Sequence, residues 1–112
     1  MITEADRVLA RTEAERALAR EFGRRLMRRR ISLALSRTEL AAAVGKSEAM
    51  IQKLERGERL PSTMTIMEIC RAIDPRGEHL LGGLERVCNF RERVGIKKAR
   101  SGRAGRKDPS GR

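Results

Sequence analysis

The 112-residue chain contains no tryptophan, no tyrosine and two phenylalanines, Phe22 and Phe90. Its core must therefore be built mainly from Leu, Ile, Val, Met and Ala, which suits a small helical bundle. β-Branched residues are sparse and apolar residues recur at spacings of three and four, not two, so no sheet is expected. Stretches free of charge are short as well. The longest is the eight residues from Leu60 to Met67, too short for a bilayer span or a secretory signal. A cytoplasmic protein without membrane contact is the expectation. Cys70 and Cys88 are too few and too separated for a metal cluster or a disulfide framework, and their apolar helical contexts read as buried thiols. His79, the single histidine, has no Cys or carboxylate at metal spacing and is expected on a helix surface. No Gly-rich phosphate loop and no nucleophile-base pair is visible. The expectation is no enzyme, no catalytic residue, no metal and no cofactor.

What the chain has in excess is positive charge, a net +11. Residues 1–21 carry five acids against four bases, residues 22–34 five arginines and no acid, residues 35–90 eight of each, and residues 91–112 nine bases against two acids. Two basic blocks thus flank a near-neutral middle, as a polyanion partner would require, because neutralising phosphates releases condensed counterions.

The middle block holds the most informative segment, SRTELAAAVGKSEAMIQKLERG from Ser36 to Gly57. Ser36 and Glu39 have capping-box spacing, so a helix starts at Arg37. Leu40, Ala41 and Val44 fall on one side of it. The small Ala41 permits a second helix to cross closely, and Gly45 permits the left-handed backbone of a tight connection. Ser47 is placed to cap the next helix, Glu48 to about Arg56, with Gly57 as its stop. Ile51 and Leu54, three apart, then bury against Leu40 and Val44. These are the parts of a helix-turn-helix.

With those residues in place, the chain resembles the phage-repressor and Cro type of helix-turn-helix, the family of xenobiotic-response-element-like regulators. The resemblance extends over about sixty of the 112 residues. Phe22 to Leu35 matches a basic first helix, LPSTMTIMEICRAID from Leu60 to Asp74 a fourth with its Pro-Ser entry, and GEHLL from Gly77 to Leu81 the start of a fifth. The implied fold is all-α, a five-helix domain with an extended N-terminal helix and a disordered basic C-terminal tail. The family also pairs a first-helix arginine with a glutamate near the end of the recognition helix. Arg30 and Glu55 stand at the matching positions; the alternative is that Arg30 is one more exposed member of the run Arg28 to Arg30.

The resemblance further implies double-stranded DNA as partner, with the helix at about 48–56 in the major groove. Its base-reading positions fall on Glu48, Ala49, Gln52 and Lys53. Gln52 suits adenine, Lys53 guanine, the Ala49 methyl thymine and Glu48 the cytosine amino group. Its phosphate-contacting positions fall on Arg37, Ser47, Met50, Arg56 and Arg59. Met50 departs from the small hydroxyl residue usual there, so apolar contact can replace one phosphate contact. The implied function is a sequence-specific transcriptional regulator, dimeric on an inverted repeat. The alternative is an antitoxin-type interaction module that holds a toxin partner and autoregulates its operon.

Around the domain, 19–93, lie two extensions. TEADRVLARTEAERALAREF from Thr3 to Phe22 lacks Gly and Pro and spaces Ala14, Leu18, Phe22, Leu26 and Arg30 by four, so it reads as one helix running into the domain. Residues 1–18 exceed the DNA-binding core. They either cover the domain or project Val8, Leu9 and Leu18 toward a second subunit, and the second arrangement is favoured. A further helix is expected from Leu84 to about Arg93. Residues 94–112, with SGR twice and AGR once, read as a disordered basic tail that touches phosphates, or merely solubilises.

Overall fold

The structure, a computed structural model, describes residues 2–88. Six helices follow one another: α1 (Glu4–Ser32), α2 (Arg37–Val44), α3 (Glu48–Glu55), α4 (Thr63–Ile73), α5 (Glu78–Leu81) and α6 (Glu85–Cys88). No strand occurs among the described residues. The described residues form an all-helical fold, with a helix-turn-helix at its centre.

Local caps set most of the boundaries. Thr3 and Asp6 form a capping box that starts α1, and Ser36 and Glu39 form another that starts α2. Ser47 and Ser62 accept from Met50 and Thr65 amides to start α3 and α4. At the other ends, α1, α2 and α3 stop in one way. The amides of Leu35, Lys46 and Glu58 reach back to the carbonyls of Arg30, Ala41 and Lys53 at 3.1, 2.9 and 3.0 Å. This Schellman arrangement needs a left-handed residue just before each donor. Gly45 and Gly57 fill it at φ 70° and 73°, and Ala34 fills it after α1 at φ 58°.

Within the domain, α1 packs against α3, α5 and α6, while α2 packs against α3 and α4. Phe22 and Leu26 from α1 meet Leu40, Ala41, Val44, Ile51, Leu54, Ile69, Ile73 and Leu80 in one cluster. Seven of the large side chains in it, among them Phe22, Leu26, Ile51 and Leu54, are sealed from solvent. Fully burying each aliphatic or aromatic side chain contributes about 1.5–3 kcal/mol, so the cluster is the main source of stability.

Three expectations change in detail. The third helix ends at Glu55, with Arg56 as its cap, because left-handed Gly57 follows as the stop. Helix α5 is a single turn, entered through left-handed Gly77 and held by the Asp74 carboxylate, which accepts from the Leu80 amide at 2.9 Å. Cys70 is half-buried, not buried, since α4 leaves Met67 and Arg71 on its open side; partial burial still pushes its thiol pKa up. Helix α6 is described to Cys88. The rest of the expected Leu84 to Arg93 helix, Phe90 and the 94–112 tail lie outside the described residues, as does the Cys88 side chain.

Toward the N-terminus α1 is unbroken. Its first two turns lie in solvent, with Val8 and Leu9 each 56% exposed, whereas Ala14 and Ala19 are buried and Leu18 is half-buried.

Candidate nucleic-acid interface

The α2–turn–α3 unit is locked from both sides. Between the helices, Gly45 supplies the left-handed turn, and a Cβ there would meet nothing within 4 Å, so the requirement is backbone conformation alone. Beneath α3, Gly23 of α1 supplies space instead. A Cβ on Gly23 would overlap the Leu54 carbonyl and stand 2.9 Å from the Glu55 carbonyl oxygen. Glycine in mid-helix costs about 1 kcal/mol in helix propensity. Here that cost permits α1 and the end of α3 to meet backbone to backbone.

Glu55 is fixed at the same crossing. Its carboxylate, 2% exposed, accepts from Arg30 Nε at 2.6 Å, from a second Arg30 nitrogen at 3.1 Å and from Arg37 Nε at 3.0 Å. Arg30 donates in addition to the Leu35 carbonyl at 2.8 Å. The bond to Glu55 raises the Arg30 guanidinium above its ordinary pKa, against the opposing effect of burial. A buried carboxylate is tolerable only when its lone pairs are filled, and two arginines fill them. Helices α1, α2 and α3 are thereby tied at one point.

Of the phosphate candidates, Arg37 therefore directs one donor inward; its side chain stays 40% exposed with further N–H groups uncommitted. Ser47 uses its hydroxyl to cap α3. Met50 is half-buried and packs against the core. Arg56 and Arg59 are exposed, Arg56 lying 3.7 Å from Glu58.

The base-reading candidates share the outer face of α3. Glu48, Ala49 and Lys53 are exposed and Gln52 half-exposed, while Ile51 and Leu54 on the opposite face are sealed in the core. That surface is not packed against the described chain. Glu48 alone has a side-chain partner: Thr38 Oγ1 of α2 donates to its carboxylate at 3.1 Å.

The arginine block 22–34 is largely engaged within the fold. Besides Arg30, Arg29 Nε donates to the Ile73 carbonyl at 2.8 Å, closing the end of α4. Arg25 donates to the Gly82 carbonyl at 2.6 Å after α5 and to Glu21 at 2.8 Å. Arg24 also bonds Glu21, whose carboxyl the two arginines hold below the ordinary glutamate value. Arginines at helix C-termini fill orphan carbonyls and oppose the helix dipole. Composition showed the block but not its long-range partners, which lie 25, 44 and 57 residues on. Gly23 was legible in principle, as a glycine interrupting a helix of Ala, Arg and Leu.

In comparison with known families, residues 26–76 fit the helix-turn-helix family profile. The matched segment runs from within α1 to just past α4 and contains the whole α2–turn–α3 unit. No curated protein matches the chain.

Proposed function

Residues 26–76 are a helix-turn-helix domain of the phage-repressor and Cro type, a DNA-binding class, and from that premise we propose that the protein is a sequence-specific transcriptional regulator. The observation that carries the reading is the two-sided chemistry of α3, which buries Ile51 and Leu54 and offers Glu48, Ala49, Gln52 and Lys53 to the outside. An outward face of that length fits a major groove. Lys53 donates to a guanine edge, Gln52 pairs with adenine and Ala49 meets a thymine methyl. Glu48, steadied by Thr38, accepts from a cytosine amino group.

Phosphate contacts come from the free donors of Arg37, from Arg56 and Arg59, and from the N-terminus of α2. These are few. Acids offset them, Glu48 on α3 and Glu58 beside Arg56. Specific complexes draw much of their affinity from many phosphate contacts, so one such surface is too weak by itself. Two additions supply the remainder: a second copy of the chain on an inverted repeat, and the nine bases of residues 91–112. No membrane contact is part of this reading, since no helix among the described residues is long and apolar enough to cross one. The site of action is then the cytoplasm, at the nucleoid.

Selection of binding sites from a random duplex pool at physiological salt tests the proposal. A palindromic consensus is the expected outcome. Enrichment of no sequence overturns it and favours the interaction-module alternative.

A further inference from the structure

The face of α1 turned away from α3 carries a second basic surface. At about 100° per residue, Ser32 stands about 180° round the helix from Gly23, the point of contact with α3. Glu21, Arg25, Arg28 and Arg29 flank Ser32 on that far side. With His79 of α5 they line an open groove of about 470 Å³. The volume lies in the range that holds small ligands.

The lining is organised for oxyanions. Arg25 is held by the Gly82 carbonyl and Glu21, and Arg29 by the Ile73 carbonyl, which orients two guanidinium groups and leaves each with further N–H donors. Arg28 is exposed, and its guanidinium has no partner among the described residues. Glu21 is the one acid of the lining, and its charge is countered by Arg24, which lies outside it. Glu78 sits 3.8 Å from His79 at the rim. Three arginines against one compensated carboxylate leave a net positive groove, and planar guanidinium forks match the paired oxygens of a phosphoryl group.

We propose that this groove binds the phosphoryl group of a small phosphorylated ligand, at a site separate from the duplex-facing surface. A duplex seated on α3 lies on the opposite side of α1, so the same DNA segment does not fill the groove. The inference rests on the α1–α5 geometry and not on DNA recognition.

Thermal unfolding of the full chain in sodium pyrophosphate, against sodium chloride at matched ionic strength, is the test. At saturating pyrophosphate the Tm rises by about 3 °C or more, because a ligand that binds only the folded state stabilises it by mass action. Arg28→Ala melts at the wild-type temperature in plain buffer but loses that rise, and His79→Ala diminishes it. Because Arg28 supports no described contact, its variant separates ligand binding from folding. Equal responses to both salts, or a rise that survives in Arg28→Ala, overturn the proposal. Duplex affinity measured on Arg28→Ala distinguishes the source of the phosphate: unchanged affinity supports a free ligand, and a marked loss reassigns the groove to the DNA backbone.

Discussion

Gly23 of α1 and Leu54 of α3 meet backbone to backbone, with no room for a single methyl group between the helix and the Leu54 carbonyl oxygen. The Arg30–Glu55 pair joins the same two helices.

Gly23→Ala therefore forces the two helices apart, since a carbonyl cannot rotate away as a side-chain tip does. Its cost should exceed about 3 kcal/mol, at or beyond the upper end for overpacked cores. Gly45→Ala meets no atom and strains only the left-handed backbone, for about 1 kcal/mol. Denaturant unfolding of both variants measures the difference. A loss at Gly23 no larger than that at Gly45 would show that the crossing relaxes to accept the methyl group.

Arg30→Ala leaves Glu55 buried with only Arg37 beside it. Removing one member of a buried pair costs about 3–5 kcal/mol. Arg29→Ala loses one bond to the Ile73 carbonyl, about 1 kcal/mol. Melting temperatures should fall accordingly, far more for Arg30, and identical values would refute the asymmetry.

Lys53→Ala should weaken operator binding by about 1–3 kcal/mol and relax preference at one base pair. Competition with single-substitution duplexes reads it. Uniform weakening across all of them would mean that Lys53 touches only the DNA backbone.

Glu21 has a folded pKa below its ordinary 4.5 through the bonds from Arg24 and Arg25. A depressed carboxyl stabilises the fold above its unfolded pKa, and that contribution disappears as pH falls through the folded value. Glu21→Gln should thus melt lower than wild type at neutral pH. The gap should narrow as pH falls below the ordinary glutamate value, where the unfolded and then the folded carboxyl take up a proton. A gap independent of pH would assign the effect to packing.

Val8 and Leu9 lie in solvent on turns of α1 that nothing in the described chain covers. Isolated helical turns are marginal in water, so we expect a second copy to cover them. The double substitution V8E/L9E should lower the apparent mass in solution without lowering the domain's Tm. Ala14 is buried, so deletion of all of residues 1–18 would remove packing as well, and the point substitutions are the cleaner test.

Short-range rules made much of this fold readable. Ser36 with Glu39, and Ser47, each act within one turn of their own position, and α2 and α3 begin where they predict; Gly45 likewise closes α2. The same holds for Ile51 and Leu54, whose spacing alone assigned the buried side of α3. The partners of arginines were not readable by such rules. Arg25, Arg29 and Arg37 have the same composition signature as solvent-exposed charge, and only a carbonyl or carboxylate brought from a distant helix distinguishes them.

The sequence by itself determined that the chain is helical, where α2 and α3 start, the apolar side of each of those two, and the presence of a helix-turn-helix, because caps and periodicity operate over a few residues. Tertiary structure alone decided that Arg37 joins Arg30 on Glu55, that Gly23 is the helix crossing, and that Arg28 is left without a described partner beside a groove. Those outcomes depend on which backbone atoms arrive from residues far along the chain, and a long side chain takes the partner that packing brings within reach.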